Sequence, residues 1–252
     1  MFVRFLQLKV STEYLKTLQG FYDKIVIPEL QKIPGCQYAC LIQSGISADE
    51  FVSMTFWSTK NEAEAYEKSG VYQSLLNQVR PFLAESSEWK IKLSDDFQLN
   101  YEPVSEEPIL KEYSVAAQSA EDIPGEEQNP RMYVRIVSAK IKDGKMDEFK
   151  KLYADIIIPA MKQTKGCQYA YLTESMQEKN SIISLTIWDS KEDASNYEKS
   201  GRFAELVDKV KHTLSELYQW KMALEKETGR KTKTSEDLEV SRYSVVTGRS
   251  FH

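Results

Sequence analysis

The sequence predicts an α+β protein made of two tandem ferredoxin-like (βαββαβ) domains, their sheets packed together as one pseudo-symmetric barrel. Three observations lead there. The chain repeats itself: residues 2–93 align with residues 133–224 at a constant offset of 131, with no gap and 31 identities in 92 pairs. The pattern within each copy reads β-α-β-β-α-β, the split βαβ arrangement. One such unit leaves a face of its four-stranded antiparallel sheet bare, and a tandem pair covers both bare faces by packing sheet on sheet. Each copy, at about 115–120 residues, is a domain rather than a solenoid repeat.

The elements follow in order. FVRFLQLKV (2–10) alternates with β-rich residues and reads as a strand. Ser11 is placed to cap a helix running to Ile33, with Leu15, Leu18, Tyr22 and Ile25 near one face. Pro28 should interrupt that helix, because it removes a donor and crowds the preceding turn. CQYACLIQS (36–44) and EFVSMTFW (50–57) form a hairpin across a short link. Thr59 with Glu62 spells a capping box, and Ser190 with Asp193 a looser one. The helix from 61 to 68 breaks at Ser69–Gly70 and resumes from 72 to 84. WKIKLSD (89–95) is expected as the fourth strand and 110–116 as a short fifth. LKEYSV (110–115) recurs as VSRYSV (240–245), one residue out of step with the main repeat. The expected division is residues 1–97 for the first repeat and 98–130 for an acidic, proline-containing linker. The second repeat then spans 131–225, and 226–252 form a tail.

Composition narrows the function classes. A net charge of −5 disfavours nucleic acid as the main partner. No apolar run approaches a membrane span, and the N-terminus has no secretory pattern, so a cytoplasmic protein without membrane partners is expected. Three cysteines cannot build a disulfide framework. Cys36 and Cys40, four apart on a strand, are expected on one face as buried apolar groups. No pair of His or Cys has zinc spacing, no glycine-rich loop cradles phosphate, and no cofactor or metal is implied.

The candidate pocket residues come in matched pairs. Trp57 and Trp188 stand at strand ends, where an indole can wall a flat ligand and donate its N–H. Arg4 and Arg135 share a position on the first strands, whose two faces are both apolar, which suggests a place near a rim. Tyr66 and Tyr197 lie on helices and can donate to an oxygen, though a phenol is a poor base at neutral pH. For Gln37–Tyr38 and Gln168–Tyr169, one member of each pair should face the barrel and the other the helices.

The segments WSTKNEAEAYEKSGVY and WDSKEDASNYEKSGRF carry a resemblance. Both resemble W-x-S-x-x-A-x-x-(H/Y/W)-x-x-S-x-x-(F/Y), the pattern common in the antibiotic biosynthesis monooxygenase branch of the dimeric α+β barrel superfamily, with one more residue between the Trp and the Ala. The resemblance covers both repeats, about 185 residues, and is specific for fold more than for activity. It implies a small-molecule protein with an internal cavity or cleft, of the type that oxygenates quinols or anthrones without metal or flavin. Haem-degrading relatives use a first-strand Asn, the Trp after the third strand and a His on the second helix. Trp57 and Trp188 match. The helix stretches VYQSLL and RFAELV hold no His, and neither first strand holds an Asn. Haem degradation by that route is therefore not expected. The alternative is a non-catalytic binding or structural protein that kept the barrel without the chemistry. A fused pair can close its barrel alone, so a monomer or a homodimer is compatible, and a small aromatic ligand is the expected partner.

Overall fold

The structure is a computed structural model that describes residues 1–93, 99–105, 108–119, 132–219 and 238–251. In the first repeat, β1 (Phe2–Lys9) leads into a helix of two α-helical pieces, α1 (Leu15–Phe21) and α2 (Ile27–Gln31), joined by a π-helical turn at Tyr22–Val26. Strands β2 (Cys36–Ser44) and β3 (Glu50–Trp57) follow, then α3 (Lys60–Lys68) and α4 (Val71–Val79). Next come β4 (Glu85–Leu93), β5 (Leu99–Ser105) and β6 (Ile109–Gln118). The second repeat gives β7 (Tyr133–Lys140), α5 (Met146–Leu152), α6 (Ile158–Lys162), β8 (Cys167–Ser175) and β9 (Ser181–Trp188). It ends with α7 (Lys191–Lys199), α8 (Arg202–Val210) and β10 (Glu239–Ser250).

Eight strands close into one antiparallel barrel in the order β1-β3-β2-β10-β7-β9-β8-β6. Each repeat contributes the ferredoxin-like order, with β6 or β10 beside its own first strand. These two strands also join the repeats. The first part of β6 pairs with β1 and its last part with β8, the register shifting between Val115 and Ala117. The first part of β10 pairs with β7 and the rest with β2, with the matching shift between Val245 and Thr247. Closure leaves the barrel no free edge.

This corrects the sequence reading of the fourth strand. The predicted strand at 89–95 falls largely within β4, which pairs with β5 in a separate two-stranded sheet. The repeated LKEYSV and VSRYSV segments take the place in the barrel. Trp220 and His252 lie outside the described residues.

The long first helix is interrupted just before its proline, as Pro28 and Pro159 require. A proline cannot donate to the carbonyl four residues back. The ladder answers by widening, so Ile27 N–H reaches Tyr22 O and Ile158 N–H reaches Tyr153 O. Ser11 does not cap this helix; its hydroxyl donates to Leu83 O instead. Thr59 and Glu62 form the capping box expected of them, and the Ser190 side chain accepts from Asp193 N–H. Gly70 and Gly201 break the second helix because the chain there turns through φ 82° and 81°, a left-handed conformation that side chains resist.

Three apolar clusters fill the molecule. One lies between sheet and helices in each repeat, and the third fills the barrel interior with Phe5, Tyr38, Met54, Phe56, Tyr171 and Leu185 among others. The barrel is thus a packed core. The cleft anticipated inside it lies instead outside the strands, under the helices.

Candidate functional site

Each repeat has a narrow cavity of about 60 Å³ between the outer face of its sheet and its helices. The first is walled by β1 (Arg4, Leu6, Leu8), β3 (Ser53, Thr55), the π-turn (Tyr22, Val26) and α3–α4 (Tyr66, Tyr72, Leu75). The second has the same parts at the offset of 131: Arg135, Val137, Ala139, Ser184, Thr186, Tyr153, Ile157, Tyr197, Phe203 and Leu206. Leu110 of β6 lines the first, and Leu238, just before β10, lines the second. Strand alternation builds these walls. Val3 and Phe5 enter the barrel core, while Arg4, Leu6 and Leu8 face the helices.

The arginines are not at a rim. Arg4 and Arg135 are only 3% and 2% exposed, and each is held by a carboxylate, from α3 or α7. Arg4 Nη2 donates to Glu67 Oε2 at 2.9 Å and Nη1 to Ala63 O at 3.3 Å. Arg135 Nε donates to Glu198 Oε1 at 2.6 Å. The guanidinium of Arg4 stacks over Tyr72 at 5.2 Å, and that of Arg135 over Phe203 at 4.1 Å and Tyr197 at 5.7 Å. Burial alone would raise the Glu198 carboxyl, but bonds from Arg242 and Arg135 outweigh it and hold the group below its usual range.

The tyrosines sort into two kinds. Tyr22 and Tyr153, at the π-turns, bond Ser53 (2.9 Å) and Ser184 (2.6 Å), and Tyr22 also donates to Cys40 O. Tyr66 and Tyr197 lie against the indoles of Trp57 and Trp188, with ring centroids 5.2 Å apart. Burial raises the phenol of all four, that of Tyr197 to about 12. They serve as neutral donors at physiological pH, not as bases.

The remaining candidates fall elsewhere. Trp57 and Trp188 are fully buried one layer behind Tyr66 and Tyr197. Their N–H groups are taken by Thr55 Oγ1 at 2.9 Å and Thr186 Oγ1 at 2.8 Å, so neither indole offers a free donor to a ligand. Gln37 and Gln168 line neither cavity. Each is the extra residue of a β-bulge, at Cys36/Tyr38 and Cys167/Tyr169. Gln168 bonds Asp189 at the surface. The bulge also reverses the alternation, so Cys36 packs under the helices while Cys40 faces the barrel, and the expectation of a shared face fails. Sequence reasoning missed Tyr22, Tyr153, Ser53, Ser184 and Tyr72 as wall residues. The π-turn ahead of a repeated proline was the signal for the first two.

Residues 132–209 match the family model described as antibiotic biosynthesis monooxygenase. The match falls within the second repeat. The whole chain has the dimeric α+β barrel fold of that family, joined as a tandem repeat. It is similar over 99% of its length to the structure of a candidate monooxygenase from Fusobacterium nucleatum (TM-score 0.68, 10% identity, 94% of that chain). A second candidate monooxygenase, from Lactobacillus acidophilus, gives a TM-score of 0.62 at 8% identity over 99% of this chain and 95% of its own. An anthrone oxidase-like protein gives 0.58 at 14% identity over 99% and 92%. At these identities the likeness is one of fold. No curated protein matches the chain.

In this monooxygenase-type fold the two cavities offer an apolar slot, one guanidinium, a Tyr–Ser pair and a second phenol. Among the described residues no group of three His, Cys, Asp or Glu side chains is placed to hold a metal ion. His212 is exposed, bonds Glu148 and lines neither slot. Among the described residues, no helix is long and apolar enough to cross a membrane.

Proposed function

We propose that the chain binds a flat aromatic of the quinol or anthrone type in the slots under its helices and oxygenates it without metal or flavin. The observation that carries this reading is the buried guanidinium beside neutral phenol donors in an otherwise apolar slot, built the same way in both repeats. A small number of polar groups in an apolar cleft orients a flat ligand. No lining residue of either slot is a carboxylate or histidine. The substrate must therefore ionise by its own acidity, with the arginine stabilising the resulting oxyanion. An anthrone fits this requirement, because its enolate carries the charge on oxygen. The overall reaction balances as anthrone plus dioxygen giving anthraquinone plus water, so no external reductant is needed.

A cavity of about 60 Å³ holds only about two waters. A ring system enters only if the slot widens. The non-catalytic reading draws its support from the same missing base. The two are separated by oxygen uptake with anthrone. An enzyme consumes oxygen above the buffer rate, and a Leu76→Trp, Val207→Trp variant with both slots filled loses that excess. A binding protein shows no excess in either form.

A further inference from the structure

We infer that the two slots have diverged in charge, and that only the slot of the second repeat holds an anionic oxygen of its ligand, carboxylate or enolate, on Arg135. This rests on reading the slots as aromatic-binding sites. The first observation is the guanidinium itself. Arg135 Nε is engaged by Glu198 and the group stacks on Phe203, while Nη2 is buried with no hydrogen-bond partner. A buried donor on a cation is costly to leave unmet. A charged oxygen on a ligand in the slot would meet it with a short, charge-assisted bond.

The second observation is the neighbouring strand. The residue in register with Arg135 across β7–β10 is Arg242, whose Nη2 donates to Glu198 Oε2 at 2.6 Å. One carboxylate is therefore divided between two guanidinium groups. Across β1–β6 the residue in register with Arg4 is Glu112. Arg135, Glu198 and Arg242 together carry one positive charge, and the register position that Arg242 holds in the second repeat is a glutamate in the first. The chain repeats the apolar slot but has opposite charge types at the matched register position beside its arginine. Arg242 is 42% exposed, so its charge is partly screened, but beside the buried Arg135 it still favours an anion in the second slot.

Isothermal titration of the full chain with naphthalene-2-carboxylate and with neutral naphthalene-2-carboxamide tests this. The expected result is one carboxylate per chain, bound at least about tenfold more tightly than the amide. Arg135→Met should abolish the preference and Arg4→Met should keep it. Arg242 is half-buried, so Arg242→Glu leaves the slot's packing intact while removing the excess charge, and it too should abolish the preference. Equal binding of the two probes, two carboxylates per chain, or a preference lost in Arg4→Met but kept in Arg242→Glu would overturn the charge assignment and leave the slots as aromatic sites. Failure of both probes to bind at millimolar concentration would overturn the slots as well.

Discussion

Trp57 and Trp188 illustrate how a conspicuous residue can be structural. The indole N–H of each meets a threonine two residues earlier on the same strand, which fixes the ring as a backing for the slot tyrosine. Thr186→Val removes the acceptor and leaves the Trp188 N–H buried and unmet, a cost of about 1–3 kcal/mol that urea denaturation should show. Glu198 supplies a pH test. Its folded-state pKa lies below its ordinary value, so its contribution is fully present above the unfolded pKa and fades as pH falls through the folded one. Glu198→Gln should therefore cost stability near pH 7 and progressively less as pH falls below about 4.5, where the unfolded carboxyl takes up its proton first, and then through the lower folded-state value. The matched Arg and Tyr positions were legible in the sequence because they repeat. The direction of the arginines was not, since the residues on both faces of β1 are apolar and alternation alone cannot say which face meets helices. Glutamine placement was hidden for another reason, a bulge that no residue type announces.

At the scale of elements, most strands and helices followed from periodicity, and the prolines marked the interruption of the first helix. The fourth barrel strand did not follow, because 89–95 and 110–116 have equal claims as short β-rich segments. The tail repeat of LKEYSV and VSRYSV held the deciding information, since matched segments occupy matched places. The turn into β2 is a tight fit: Gly35 sits at φ 80°, and a Cβ there would lie 2.7 Å from the Cβ of Glu62 in the capping box. Gly35→Ala should destabilise by about 1–2 kcal/mol from the left-handed backbone alone, with more from the clash, measurable as a lower denaturation midpoint. The bulge after Cys36 sends Cys36 and Cys40 to different cores, and burial pushes the thiols of both, and of Cys167, up to about 12. Native protein at pH 8 should react negligibly with a thiol reagent, and unfolded protein should release three equivalents.

At the scale of the molecule, the chain does within itself what two single-repeat chains would do together. β6 and β10 are the joints, each serving one strand of its own repeat and one of the other. Deleting residues 238–252 should leave β2 and β7 as unpaired edges, and size-exclusion chromatography should then show association or aggregation. Ligand binding is proposed under the helices, and not in the packed barrel interior. Its most direct measurement is a set of intermolecular NMR contacts between bound 2-naphthol and methyl-labelled protein. Contacts are expected to Leu75 or Leu206, which line the slots, and none to Met54 or Leu185, which fill the barrel. Contacts to Met54 or Leu185, with Leu75 and Leu206 silent, would contradict it.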